Sequence, residues 1–472
     1  MTLIPLILST ITLLNIVVVI TLIFFERKNP TATWAWVLIL VLFPILGLIL
    51  YLFIGLTPRK RKIFDRKTEK DLIKNKQLIE GSPNYQGKSL PHQANNIFQI
   101  DFGKEEIVYT DNNDVQIYTH GKEKFKELFN VMETAEHHIH ISYYIIRNDE
   151  LGKAIVNKLT KKARQGVTVR VLYDSVGCRK LPKDFFSELE EAGGLVTRFF
   201  PFILDINYRN HRKIAVIDGK TAFVGGTNIG KEYLGISQRF DDWRDTHLKV
   251  TGDAAKSLQV RFLLDWIFAT EEDEDIMMNR EFFPEISDQG NSGIQIVASG
   301  PDSPHEEIKA FLLKMIYSAK ESIYLQTPYF IPDESILEAL QIAAYSGVDV
   351  RIAIPDKPDH PFVFWANRAY LGLMLETGAR GFIYKHGFLH SKLIIVDGKI
   401  ASVGTANMDV RSFKLNFEVN AFIYDPQMAQ RLNEIFLRDL DNSCELTEDQ
   451  YNQRGISSKF KESISRLLSP IL

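Results

Sequence analysis

The sequence predicts an α/β protein made of two lobes related by internal duplication and preceded by an N-terminal two-helix transmembrane hairpin. Three observations predict it. Two long uncharged runs open the chain, strand-like and helix-like segments alternate from about residue 97, and that alternation then occurs a second time.

The hairpin is expected over residues 1–57. From Leu3 to Phe25 there are 23 uncharged residues, enough as a helix at ~1.5 Å per residue to cross a hydrocarbon core of ~30 Å. After Glu26-Arg27-Lys28-Asn29-Pro30, residues 34–54 are again uncharged. Trp34, Trp36 and Tyr51 sit near the ends of this second run, where amphipathic aromatics favour the interface, and Pro44 and Gly47 are kink points within it. The first run has no basic leader and no small-residue cleavage site, so it does not read as a cleaved signal peptide. Two basic residues lie in the turn and six follow Leu56, between Arg59 and Lys67. Cytoplasmic segments carry the larger basic excess, so a multi-pass protein of the cell membrane is expected, with both termini and the lobes on the cytoplasmic side.

Charge follows the same division. The chain of 472 residues has 56 Lys+Arg and 59 Asp+Glu, a net charge of −3. Residues 1–67 hold eight basic and two acidic residues, or +6, which leaves −9 over the remaining 405. That sign disfavours a surface that grips nucleic acid by counterion release. The two cysteines, Cys178 and Cys444, are too few for a disulfide framework or a structural zinc site.

Residues 58–95 read as a polar linker with some helix over 67–79, and 96–270 as the first lobe. Residues 271–293, which open on the acidic run Glu271 to Asp275, read as a second linker, and 294–472 as the second lobe. Strands are expected over 138–146, 167–172 and 213–217, and helices over 122–135, 151–164 and 185–192. The duplication shows in matched positions: Ala135 to Ala319 is 184 residues, Gly166 to Gly347 is 181 and His211 to His390 is 179. A unit of that size is a duplicated domain rather than a solenoid repeat.

The best-matched part is also the most polar. Copy one reads His211-Arg-Lys213, then Asp218-Gly, then Gly225-Gly-Thr-Asn228; copy two reads His390-Ser-Lys392, Asp397-Gly and Gly404-Thr-Ala-Asn407, with the same intervals. Residues two apart on a strand point to one face, so His and Lys act together. Asp-Gly makes a tight turn into a returning strand, and the strand ends at a glycine bend where backbone approaches an anion closely. Each copy thus offers an imidazole, an ammonium and an amide donor. Lys213 and Lys392 supply charge to a phosphate without a metal, and no grouping with two-metal spacing is present. One histidine can attack phosphorus while the other, protonated, donates to the leaving alcohol and then deprotonates the acceptor. Imidazoles with ordinary pKa near ~6.5 suit both tasks.

These two HxKxxxxD motifs with their GGTN and GTAN tails resemble the phospholipase D superfamily, and the whole chain resembles its bacterial cardiolipin synthases. Trp34-Ala-Trp, Ser299-Gly-Pro-Asp302, Thr327-Pro-Tyr-Phe-Ile-Pro332, Asn407-Met-Asp-Val-Arg-Ser412 and Arg466-Leu-Leu-Ser-Pro470 fit the same family. The resemblance implies two phospholipase D-like lobes forming one site, a phosphohistidine intermediate, and no metal or other cofactor. It implies transfer between two phosphatidylglycerol molecules giving cardiolipin and glycerol, with membrane phospholipids rather than nucleic acid as partners. Another lipid hydrolase or phosphatidyltransferase of the superfamily is the alternative, and a nuclease is disfavoured by charge.

By motif position the catalytic set is His211, Lys213, Asp218, His390, Lys392 and Asp397, with His211 as nucleophile and His390 as acid and base, or the reverse. Asn228 and Asn407 are expected to bind phosphate together with the lysines. The local reading of Asp218 and Asp397 is that they hold the turn after the strand. Glu418, 28 residues after His390, and Asp245, 34 after His211, are expected to orient the histidines by accepting from the distal ring nitrogen. His137, His138 and His140 read as strand packing. Tyr143-Tyr144 and Tyr329-Phe330 close equivalent strands, either in the core or at a lipid entrance. Ile456, Phe460, Ile464, Leu467, Leu468 and Ile471 recur at helical spacing, for a helix that docks on the lobes or lies on a bilayer.

Overall fold

The computed structural model describes residues 3–24, 30–51, 67, 71, 100, 107–200, 207–236, 240, 242–270, 279–303 and 305–469. Two compact units emerge, one of Met1–Lys70 with Phe202–Asn207 and one of Asp71–Pro201 with Tyr208–Leu472. The basic cluster at 59–66, the linker apart from Lys67 and Asp71, and the acidic run Glu271 to Asp275 lie outside the described residues.

In the first unit the segment expected as a hairpin forms the helices α1 (Leu3–Phe24), α2 (Pro30–Leu42) and α3 (Pro44–Leu50). The second run is broken at Phe43. Pro44 has no N–H to give the carbonyl of Leu40, and the side chain of Asn15 donates to that carbonyl at 3.5 Å and to the Pro44 carbonyl at 3.1 Å. Gly47 is required at the break, because a Cβ there would stand 2.7 Å from the Ile39 carbonyl oxygen. Leu22, Leu40 and Tyr51 are buried within this unit, while Leu13, Ile16, Val17, Ile20, Leu38, Val41 and Ile45 point outward. All 22 residues of α1 are uncharged. Counting only residues whose side chains are described, which in α1 start at Ser9, no helix is long and apolar enough to cross a membrane.

The second unit contains both copies. After β1 (Tyr109–Thr110), copy one runs β2 (Asn113–His120), α4 (Gly121–Glu133), β3 (His138–Tyr143), α5 (Glu150–Arg164), β4 (Thr168–Asp174), α6 (Ser187–Glu191), β5 (Leu195–Phe199), β6 (Arg209–Asn210), β7 (Lys213–Ile217), β8 (Thr221–Gly225), β9 (Trp243–Gly252) and α7 (Asp253–Thr270). Copy two runs β10 (Ile294–Ser299), α8 (Glu307–Ser318), β11 (Ser322–Gln326), β12 (Phe330–Ile331), α9 (Glu334–Tyr345), β13 (Asp349–Pro355), α10 (Pro361–Leu375), β14 (Arg380–Tyr384), β15 (Phe388–Leu389), β16 (Leu393–Val396), β17 (Ile400–Gly404), β18 (Met408–Asp409), α11 (Val410–Lys414), β19 (Asn416–Ile423), α12 (Pro426–Asp441), β20 (Ser443–Leu446), α13 (Glu448–Asn452) and α14 (Ile456–Leu467).

The two sheets share one plan. Copy one orders its strands β2-β9-β8-β7-β3-β4-β5 and copy two β10-β19-β17-β16-β11-β13-β14, and in each the last three are parallel while the rest alternate. The strands are buried along both faces, which explains their continuous apolar runs. Helices cover them by amphipathic spacing: α5 starts at the cap Asp149, which accepts from the Gly152 N–H at 3.0 Å, and buries Leu151, Ile155, Val156 and Leu159.

Each copy has a core of its own under its outer helices, and a third core joins them. This shared core packs Ile214, Val216, Val224 and Leu248 of one sheet with Leu393, Ile395, Val403 and Val419 of the other. β1 pairs with β10, so residues 109–110 extend the sheet of copy two.

Candidate active site

Each motif histidine stands just before a central strand, His211 two residues before β7 and His390 three residues before β16. The short strands that deliver them cross to the other copy. β6 runs parallel to the start of β19, and the His211 N–H donates to the Phe417 carbonyl at 2.9 Å. β15 runs parallel to the start of β9, and the His390 N–H donates to the Arg244 carbonyl at 2.7 Å. The site is therefore stitched from both copies in a two-fold manner, by backbone bonds that place each histidine next to the other copy's carboxylate strand.

The carboxylates follow that crossing. His211 Nδ1 lies 2.9 and 3.0 Å from the two oxygens of Glu418, and His390 Nδ1 lies 2.8 Å from Asp245. Counting residues within one copy does not reveal this pairing, because Glu418 follows His390 in the chain yet bonds His211. Ionised carboxylates only accept, so each Nδ1 carries the proton and each Nε2 keeps its lone pair. Both carboxylates are fully buried and further held, Glu418 by the Asn416 amide at 3.1 Å and Asp245 by the Thr246 N–H at 2.8 Å. The imidazole side chains are each 12% exposed. Tyr144 meets the His211 ring edge-on at 4.8 Å, and Trp243 lies against His390 at 5.1 Å.

The lysines complete the field. Each donates to the carbonyl of its own motif histidine, Lys213 at 2.5 Å and Lys392 at 2.7 Å. Burial lowers Lys213 to about 7, with Glu418 opposing and Lys392 adding to the fall, and lowers Lys392 to about 8 against the pull of Asp245 and Glu418. The histidines do not keep the ordinary value near ~6.5 expected of them. Burial first, then Lys213 and Lys392 against Glu418, brings His211 to about 4. Burial and Lys392, against Asp245, bring His390 to about 3. Burial pushes Glu418 and Asp245 upward, but their histidine and lysine neighbours outweigh it and hold both below the usual range. Residues of both motifs thus act on each other across the copies. The resting arrangement is two neutral imidazoles, two carboxylates and two lysines.

The two motif aspartates stand elsewhere. Asp218 is not brought to the histidines: it sits at φ 52° beyond the far end of β7 and accepts from the N–H groups of Glu136, His137 and His138 at 2.8–2.9 Å. Asp397, at φ 53°, does the same for Lys320, Glu321 and Ser322 at 2.8–3.2 Å. Both placements correct the catalytic assignment taken from the motif, because a side chain at the far end of a strand cannot reach the histidine at its start. They fit the local reading of a turn-holding role, extended to pinning the start of the neighbouring strand.

Asn228 accepts from the Ile145 N–H at 3.1 Å, and the Asn407 amide donates to Asp409 at 3.1 Å. Each therefore orders its bend, and Asn407 Oδ1 is buried without a hydrogen-bond partner. Among the described residues no group of three His, Cys, Asp or Glu side chains could hold a metal ion. His138 and His140 are fully buried on β3, sharing the Gln259 amide at 3.2 and 2.8 Å. Tyr143 is buried behind the site and accepts from Lys124 Nζ at 2.8 Å, whereas Tyr144 and Tyr329 face the site side.

Sequence reasoning missed two buried ion pairs that support the carboxylate strands. Arg212 Nη1 binds Asp265 at 2.6 Å and its Nε donates to the Glu418 carbonyl at 3.0 Å. Arg244 Nε binds Asp439 at 3.0 Å while Nη1 reaches Thr246 Oγ1 at 3.1 Å and the Asp245 carbonyl. Asp265 and Asp439 occupy the corresponding helices α7 and α12. A signal was present: an arginine between His211 and Lys213 must point to the opposite face of the strand, into the core, where it demands a buried acceptor.

Comparison with known proteins agrees with this architecture. The family description "Cardiolipin synthase, PLD-like domain" matches residues 128–266 and 312–440, one match per copy, and "Phospholipase_D-nuclease N-terminal" matches residues 13–55. The cardiolipin synthase of Oceanobacillus iheyensis is 50% identical over 469 residues, covering 97% of each chain. The major cardiolipin synthase of Bacillus subtilis is 48% identical over 480 residues, covering 98% of each. In fold, the chain is similar to the phosphatidylserine synthase of Haemophilus influenzae, with a TM-score of 0.60 at 17% identity over 76% of this chain and 95% of that one. A site assembled from two duplicated motifs, and relatives matched from end to end, show that the chain belongs to the phospholipase D-like cardiolipin synthase family.

Proposed function

We propose that the enzyme transfers a phosphatidyl group from one phosphatidylglycerol to another, forming cardiolipin and releasing glycerol through a phosphohistidine. The observation that carries this reading is the crossed pairing of His211 with Glu418 and His390 with Asp245. It commits both Nδ1 atoms and leaves two Nε2 atoms to serve one phosphorus.

In the first step His211 Nε2 attacks phosphorus, a P–N bond forms and the bond to the head-group glycerol oxygen breaks. Protonated His390 gives its proton to that oxygen. In the second step a hydroxyl of the second phosphatidylglycerol attacks, neutral His390 takes its proton, a P–O bond forms and the P–N bond breaks. Exchanging the two histidines gives the same balance. Lys213 and Lys392 hold the phosphodiester anion, and its negative charge favours protonation of one imidazole against the burial and the lysine cations that keep both neutral. Glu418 and Asp245 fix the tautomer and stabilise the imidazolium.

His211→Ala and His390→Ala are each expected to abolish cardiolipin formation, measured by separating the lipids formed from labelled phosphatidylglycerol in membranes holding the protein. Near wild-type synthesis by either variant would end the two-histidine mechanism. If wild-type enzyme released mainly phosphatidic acid, and excess glycerol or serine redirected the product, a hydrolase or another phosphatidyltransferase would replace this reading.

The substrates are lipids, and the hairpin supports residence in the cell membrane. Apolar side chains face outward around α1, α2 and α3, while the polar Asn15 turns inward to serve the break at Pro44. The proposed topology puts both termini on the cytoplasmic side. Cysteines introduced near each terminus should resist an impermeant reagent in intact cells and react after lysis.

A further inference from the structure

The last helix, α14, docks in the sense opposite to that expected of an amphipathic helix on a protein core. It packs on α10 through Glu462 and Ser465, which are 3% and 1% exposed. Glu462 is anchored there by Tyr451 Oη at 3.1 Å and Arg454 Nε at 2.7 Å. Its apolar residues point away, with Ile456 87%, Phe460 67%, Ile464 40% and Leu467 76% exposed. At about 100° per residue these four fall within an arc of about 80°, with Lys461 on one edge and Lys459 and Arg466 on the other. All three cations are exposed.

An apolar stripe bordered on both sides by cations complements an anionic lipid surface, where the stripe enters the acyl boundary and the cations meet phosphates. The stripe also continues toward the active site. Lys461 stands 4.9 Å over the Trp365 ring of α10, and Phe362, one turn nearer the start of α10, is 44% exposed. Just before that start, Asp359 accepts from Tyr329 and contributes to the field on Lys392.

We propose that the outer face of α14, with Phe362, rests on an anionic bilayer and holds the rim of the active site at the level of the lipid phosphates. This docking is separate from the insertion of the hairpin.

The test uses the full chain with Cys444→Ser, since Cys178 is buried and Cys444 exposed. An environment-sensitive fluorophore is placed at Phe460→Cys or Leu467→Cys, with Lys220→Cys as the control. The proteins are reconstituted into bilayers of phosphatidylcholine with or without phosphatidylglycerol, each containing a nitroxide-labelled lipid. Quenching at 460 and 467 several-fold above the control, present only with phosphatidylglycerol, is the expected result. Quenching equal to the control would overturn the inference, as would a blue shift that follows protein concentration in detergent without lipid, which would mark a second copy as the occupant. The double variant Phe460→Asp, Ile464→Asp should keep wild-type transfer in detergent-mixed micelles and lose at least about five-fold on bilayers. Absence of cardiolipin synthesis with quenching intact would remove the functional reading alone.

Discussion

The two copies share one packing plan and differ in the chemistry they place on it. On β3 of copy one, His140 stacks on Phe262 of α7 at 4.7 Å and 12°. At the corresponding place in copy two, Tyr324 of β11 stacks on Phe436 of α12 at 4.9 Å and 14°. The packing is the same and the chemistry is not. Tyr324 is half-buried with its hydroxyl on Asp349 at 3.2 Å, whereas His138 and His140 are fully buried under Phe282, in the segment that joins the copies. Shape was preserved at both places because the sheet and helix need an aromatic plate there. Polarity was free to diverge once the connecting chain covered one side only. The same holds inside the motif, where Arg212 with its buried partner Asp265 stands opposite Ser391, bonded to Thr246 at 2.7 Å.

The crossed carboxylates offer the sharpest way to break the two-fold description. Glu418→Gln and Asp245→Asn should each lower kcat by about 10²- to 10⁴-fold, since each removes the group that holds a tautomer and supports the charged imidazole. Nitrogen NMR of the imidazoles decides the pairing: Glu418→Gln should disturb His211 and leave His390 nearly unchanged. The reverse pattern would return each carboxylate to the histidine of its own copy.

Next in size is the asymmetric ion pair. Arg212→Met should cost about 3 kcal/mol of stability by leaving Asp265 buried with one of its two arginine partners among the described residues, Arg261 at 2.7 Å, read as a lowered unfolding midpoint. Arg212→Ser, which imitates copy two, should behave alike if the pair is specific to copy one. Wild-type stability in that variant would make the two halves interchangeable there.

Asp218→Ala and Asp397→Ala sharpen the agreement instead. Each gives up three backbone bonds to a carboxylate and should lose about 1–3 kcal/mol by denaturant titration, with activity per folded molecule within about two-fold of wild type. A large loss of kcat at full stability would restore these residues to the chemistry.

The last effect depends on pH and vanishes at neutral pH. Burial lowers His138 to about 4 and His140 well below its ordinary value. The unfolded chain then binds more protons than the folded one below pH ~6.5, so stability is complete above that pH and falls as pH drops toward 4. Each histidine contributes a slope of up to about 1.4 kcal/mol per pH unit. His140→Tyr, the residue of copy two, should reduce the acid sensitivity, and an unchanged slope would place its origin outside this pair.

Much of this molecule is decided by local sequence. Constant intervals between His211, Lys213, Asn228 and their counterparts specify two equal half-sites, because strand alternation, an Asp-Gly turn and a glycine bend are set by neighbouring residues. The uncharged runs and the proline within the second specify the helices of the first unit and their break for the same reason. Tertiary structure alone decided that Glu418 serves His211 and Asp245 serves His390, that Asp218 and Asp397 bind backbone far from the site, and that α14 turns its apolar face outward. It also decided that the imidazoles rest neutral at values near 3 and 4. The physical reason is common to all of these: spacing along a chain fixes which side chains share a face, whereas partnership across copies and the cost of burying charge depend on which surfaces meet after folding.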